Sequence, residues 1–171
     1  MSETLEQAAR VGLTWEEVCA DPNLEDLPYK IETNEWGQIV MSPRWLKQGA
    51  CGTAMGRFLH QSMNQRGSIV MNAAVKTSKG TKVADVAWFS PERWEQVKDE
   101  FDASVAPEIC VEILSPRNSK EEIEQKKRSY FDAGAQEVWI GDEEGAMLFF
   151  NRETALKVSA LMPGFPKKVE V

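Results

Sequence analysis

Two short runs constrain the fold of this chain more than anything else in it. Val83-Ala84-Asp85-Val86-Ala87-Trp88-Phe89 and Ile109-Cys110-Val111-Glu112-Ile113-Leu114 are apolar at odd and even positions alike, with one carboxylate set into each. A strand with one wet face alternates, so runs of this kind belong in the middle of a sheet covered on both sides by helices. An ionised carboxylate there is costly unless something positive or hydrogen-bonding meets it. One such acid is readily met by an Arg or by backbone N–H groups. Two on neighbouring strands suggest a divalent-cation site, since Mg²⁺ is usually held by one or two carboxylates together with water and substrate phosphate.

The rest of the chain supplies covers for that sheet. Residues 3–20 are expected to be helical, with Thr14-Trp15-Glu16-Glu17 as a capping box and Asp21-Pro22-Asn23 as the stop. Tyr29-Lys30-Ile31-Glu32 and Gly37–Met41 read as a hairpin around Asn34-Glu35-Trp36-Gly37. A helix is expected between 46 and 65, with Leu46, Ala50, Met55, Phe58, Leu59 and Met63 at helical spacing and Gly67 as its C-terminal signal. Strands Ser68–Lys76 and Lys82–Phe89 pair around Ser78-Lys79-Gly80, and Ser90-Pro91 opens a short helix. Strand Glu108–Leu114 follows. Then comes a helix from the capping box Ser119-Lys120-Glu121-Glu122 to about Ala133, and strand Glu137–Gly141. Ala146–Asn151 and Leu156–Leu161 are further strand candidates. The order is an α/β (α+β) one, antiparallel hairpins and then a strand–helix–strand unit that favours parallel pairing. No repeat or linker interrupts it, so residues 1–171 read as one domain.

Several chemistries are excluded at this stage. His60 is the single histidine, and Cys19, Cys51 and Cys110 are widely spaced, which argues against a Cys/His zinc site and against Ser-His-Asp or Cys-His catalysis. Unpaired cysteines and an acidic N-terminus without signal-peptide order predict a cytoplasmic protein. No apolar stretch approaches the roughly 18 residues of a membrane helix, so no membrane partner is expected. The net charge of −7 gives no global basic face for nucleic acid. Lys76, Lys79 and Lys82 around one hairpin tip are the best local phosphate contacts.

Asp85, then Glu112 in Val-Glu-Ile-Leu-Ser-Pro, then Lys126-x-x-x-Tyr130 and Gly134-Ala135-x-Glu137-Val138-Trp139 resemble the Uma-two family of restriction endonucleases in the PD-(D/E)xK superfamily. The resemblance spans about residues 14–150 and includes Ile31-Glu32 and Met41-Ser42-Pro43. It implies a restriction-endonuclease-like mixed sheet flanked by helices, Mg²⁺-dependent (or Mn²⁺-dependent) hydrolysis of DNA phosphodiesters, and a homodimer. It also implies that the catalytic lysine has moved from the strand, where Leu114 now stands, to the following helix. Lys126 and Lys127 flank Tyr130 on either side of that helix's inward face at about 100° per residue, so spacing alone does not choose between them. The family pattern favours Lys126. Asp85 and Glu112 are the metal ligands it implies, and Glu32 is a supporting acid. The motif's proline is replaced by Ala84, and Gln48 stands where the family often has histidine.

Other readings remain beside this one. The acids can be structural, met by backbone N–H groups and Lys126 or Arg128, and Lys126 can be a solvated helix lysine. Tyr130 reads as core, and the tryptophans as packing residues. Gln48 and the acidic charge suit a catalytically inactive interaction module that keeps the nuclease fold. A hydrolase of small phosphate esters is a third reading, and a narrow closed pocket would favour it.

Overall fold

A computed structural model of the protein describes residues 12–171, so the 3–11 part of the expected N-terminal helix lies outside the described residues. The helix remainder is α1 (Trp15–Ala20), started by the expected capping box: Thr14 Oγ1 accepts from the Glu17 N–H, and the Glu17 carboxylate accepts from the Thr14 N–H. Strands β1 (Tyr29–Thr33) and β2 (Ile39–Pro43) form a separate antiparallel hairpin. After it come α2 (Leu46–Ser62), β3 (Ser68–Thr77), β4 (Gly80–Phe89), α3 (Pro91–Val97), β5 (Ile109–Ile113), α4 (Lys120–Asp132), β6 (Glu137–Gly141), β7 (Met147–Phe150) and β8 (Ala155–Leu156).

The main sheet has the order β3-β4-β5-β6-β7-β8, with β5 and β6 parallel and every other pair antiparallel. The parallel step is the one bridged by α4, as the strand–helix–strand reading requires. Both faces of the sheet are covered, which explains the unbroken apolar runs. Cys51, Met55 and Leu59 of α2 pack with Ile109, Val111 and Ile113 of β5 and with Met162 and Phe165 of the C-terminal segment. Tyr130 and Phe131 of α4 pack on the other face with Cys110, Val138 and Ile140. Alternation along β5 therefore sends Glu112 towards α4, the side of Cys110.

Three expectations change. Leu46 does not face the core but is 95% exposed at the start of α2. The reversal after α2 is made by Asn64 and Gln65, at φ 50° and 60°. Gly67, at φ 76°, is needed because a Cβ there would lie 2.2 Å from the Phe89 carbonyl oxygen. Leu156–Leu161 is not a strand beyond Ala155–Leu156. The N–H groups of Ala160 and Leu161 are bound by the buried Glu137 carboxylate (2.7 and 2.9 Å) instead of a sheet ladder.

The hairpin docks where the ladder fails. Strand β5 pairs with β4 over Val86, Ala87 and Trp88, leaving the earlier half of β4 without a neighbour on that side. Side chains of β1 fill the gap: Glu32 Oε1 accepts from the Val83 N–H at 2.7 Å, and Thr33 Oγ1 from the Thr81 N–H at 2.8 Å. Lys82 Nζ donates to the Thr33 carbonyl at 3.0 Å.

Candidate active site

Continuing the β4–β5 register one step past Val86–Val111 sets Asp85 opposite Glu112. Both are buried, 8% and 7% exposed, so their charges must be met within the protein. Asp85 Oδ2 accepts from the Ile113 N–H at 2.7 Å, and its Oδ1 lies 3.4 Å from Arg44 Nη1. Glu112 Oε1 accepts from the Tyr130 hydroxyl at 2.6 Å and lies 3.1 Å from Lys126 Nζ. Lys126 also binds Glu32 Oε1 at 2.7 Å, the same oxygen that holds the Val83 N–H. Lys30, one alternate position before Glu32 on β1, brings its ammonium 3.1 Å from Asp85 Oδ1 and 3.0 Å from Glu112 Oε2.

All four expected site residues, Glu32, Asp85, Glu112 and Lys126, thus meet in one cluster. Lys127 does not join it. Its ammonium pairs with Glu124 at 2.9 Å and lies over the Phe150 ring, 3.6 Å from the centroid, one helical step away from the acids. Arg128 is exposed. Among the three hairpin-tip lysines, Lys79 pairs with Glu35, and Lys82 lines the cleft. Lys30 and Arg44 went unassigned by sequence reasoning, and Tyr130, read as core, is buried there but also bonds Glu112. Strand alternation, which puts Lys30 and Glu32 on one face, is the signal that points to the first. Gln48 accepts from the Trp45 N–H at 3.0 Å and donates to the Ile113 carbonyl at 3.3 Å, fastening the start of α2 to the end of β5.

The protonation pattern follows from this wiring. Burial pushes Glu112 up, but Lys126, Lys30 and the Tyr130 hydrogen bond outweigh it and hold the carboxyl at about 2. Burial and the neighbouring Glu112 charge raise Asp85. Burial also pulls on Lys126, but Glu112 and Glu32 more than reverse it and keep its ammonium protonated. Burial and the Glu112 charge likewise keep the Tyr130 hydroxyl protonated. Lys82 is the exception, its pKa lowered by burial.

Except for the fully buried Tyr130, these groups line a cleft of about 330 Å³ between the hairpin, the end of β5 and the start of α4. Its charged lining is Lys30, Arg44, Lys82, Lys126 and Lys127 against Glu32, Asp85, Glu112 and Glu122, a slight positive balance on a chain of charge −7. Among the described residues, no group of three or more His, Cys, Asp or Glu side chains is arranged to hold a metal. Two hard carboxylates on facing strands are nonetheless a donor set that fits Mg²⁺. The Lys30 ammonium is a positive charge already seated between them, at 3.0 and 3.1 Å where Mg–O distances are about 2.0–2.1 Å.

The fold is similar to that of a protein described as a "putative nuclease belonging to DUF820" from Anabaena variabilis, known from a crystal structure. The TM-score is 0.71 over 91% of this chain and 94% of that one, at 18% sequence identity. None of the curated proteins matches the chain. Residues 20–161 match the sequence pattern of Uma2, described as "Putative restriction endonuclease", and the chain belongs to that family.

Proposed function

We propose that the protein is a divalent-metal-dependent endonuclease that hydrolyses phosphodiester bonds in DNA. The observation that carries this is the convergence of Asp85 and Glu112 from facing strands on one buried point, with the Lys126 ammonium 3.1 Å from Glu112 at the cleft. Asp85 and Glu112 would hold Mg²⁺ or Mn²⁺, which when bound supplies positive charge to a phosphate and lowers the pKa of water.

The chain's own residues do the rest. Lys126 is protonated, so it acts as a hydrogen-bond donor that orients the attacking water or steadies charge on a phosphate oxygen. Glu32 fixes the Lys126 ammonium, and the Tyr130 hydroxyl fixes one oxygen of Glu112. Arg44, its other arm on Asn72 Oδ1 at 2.6 Å, stands at the rim where a phosphate enters. A positive balance in the cleft lets an acidic chain admit a polyanion locally. Residues from the β1–β2 hairpin, the six-stranded sheet and α4 frame the cleft.

One observation favours a non-catalytic module instead. Every acid of the cluster is already paired within the chain, as in a structural ion network.

Cleavage of supercoiled plasmid at low salt with Mg²⁺ or Mn²⁺ separates the two. The nuclease reading predicts nicking by the wild type that is lost in Asp85→Ala and in Lys126→Ala. Nicking that survives Asp85→Ala refutes the assigned site. No nicking by the wild type, joined with no cation binding by calorimetry, overturns the nuclease reading and favours the interaction module.

A further inference from the structure

We infer that Lys30 is a built-in counter-ion that competes with the divalent cation for the carboxylate pair, so that loading the site requires the Lys30 ammonium to leave it. The inference rests on the metal-dependent reading above and concerns what that metal must displace.

Three observations converge on Lys30. It touches both central carboxylates at once, Asp85 Oδ1 at 3.1 Å and Glu112 Oε2 at 3.0 Å, whereas Arg44 reaches Asp85 alone and Lys126 reaches Glu112 alone. Its side chain is only 10% exposed, so the contact is an enclosed one and weakly screened by salt. The local charge is already balanced: Glu32, Asp85 and Glu112 face Lys30, Lys126 and Arg44. Adding two positive charges to a balanced, buried cluster is unfavourable unless one cation moves away. The cation to be displaced is Lys30, because its ammonium already occupies the place between Asp85 Oδ1 and Glu112 Oε2, the two residues that would hold the metal.

Lys30 is also the cation best placed to move. It sits on the β1–β2 hairpin, outside the six-stranded sheet that carries Asp85 and Glu112. Lys126, by contrast, is held by Glu32 Oε1 at 2.7 Å, an oxygen that Lys30 approaches only to 3.9 Å.

The test is the affinity for Mn²⁺, followed by electron paramagnetic resonance of the free ion and without any substrate. Lys30→Met is expected to bind Mn²⁺ at least tenfold more tightly than the wild type, and the further change Asp85→Asn to abolish that gain. A second measurement uses the unaltered chain. Pulse acetylation mapped by mass spectrometry is expected to modify Lys30 at least threefold faster in saturating Mn²⁺, with the remote Lys98 unchanged. Should Lys30→Met fail to fold, the acetylation result decides alone. Mn²⁺ binding by both chains with equal or weaker affinity in Lys30→Met, and Lys30 acetylation indifferent to Mn²⁺, overturns the displacement and leaves the nuclease reading standing. Absence of Mn²⁺ binding in wild type and variant alike overturns both.

Discussion

Glu112→Gln turns the wiring of the site into a measurable pH dependence. In the folded protein two ammonium groups and a tyrosine hydroxyl hold Glu112 at about 2, against 4.5 for an ordinary glutamate. A group with a depressed folded value adds stability that is fully present above the unfolded value and is lost as pH falls through the folded one. The interval between 4.5 and 2 corresponds to ~3 kcal/mol at neutral pH, with roughly 2 kcal/mol of it gone by pH 3. Asp85, raised by burial and by Glu112, works in the opposite direction: its ionised form costs stability, and the cost is relieved as pH falls. Comparing wild type with Glu112→Gln reads Glu112 together with the part of the Asp85 shift that the Glu112 charge causes. Urea unfolding followed by tryptophan fluorescence should show a wild-type lead of ~3 kcal/mol at pH 7 that shrinks to ~1 kcal/mol at pH 3. A lead of equal size at both pH values would show that Glu112 is not held ionised by Lys126 and Lys30.

Two further outcomes follow from contacts away from that carboxylate. Lys127→Met should nick plasmid within about twofold of the wild type and lose ~1 kcal/mol, the loss of its ring and Glu124 contacts; abolished nicking would give Lys127 the role assigned to Lys126. Glu137→Gln should lose ~3 kcal/mol in urea unfolding, because one Glu137 oxygen accepts from Trp139 Nε1 and Ser159 Oγ and the other from the Ala160 and Leu161 N–H groups; an amide NH₂ then faces two donors, and a loss below ~1 kcal/mol would refute the account.

The sheet was legible because its physical cause is local. Double-faced burial writes itself into Val83–Phe89 and Ile109–Leu114, and both capping boxes, at Thr14 and Ser119, are read from four consecutive residues. Asp85 and Glu112 were visible for the same reason, as charges in runs that otherwise exclude charge. Lys30 was not, because its partners lie 55 and 82 positions away and depend on how a hairpin docks against a different sheet. The choice between Lys126 and Lys127 turns on the rotation of α4 about its axis, which Tyr130 fixes by bonding Glu112. Leu156–Leu161 has the apolar content of a strand, yet the Ala160 and Leu161 amides were claimed by Glu137, 23 and 24 positions upstream, whose burial a linear pattern does not announce.

The place where β1 replaces a missing ladder neighbour of β4 has a consequence for timing. The six-stranded sheet can bring Asp85 and Glu112 together by itself, but Lys30 and Glu32 arrive only when the hairpin seats and caps the N–H groups of Thr81 and Val83. The cluster is therefore complete only while the hairpin is seated, and a fluctuation that lifts the hairpin takes Lys30 and Glu32 out of it. Hydrogen exchange at Thr81 and Val83, whose N–H groups the hairpin caps, becomes a clock for how long the hairpin stays seated.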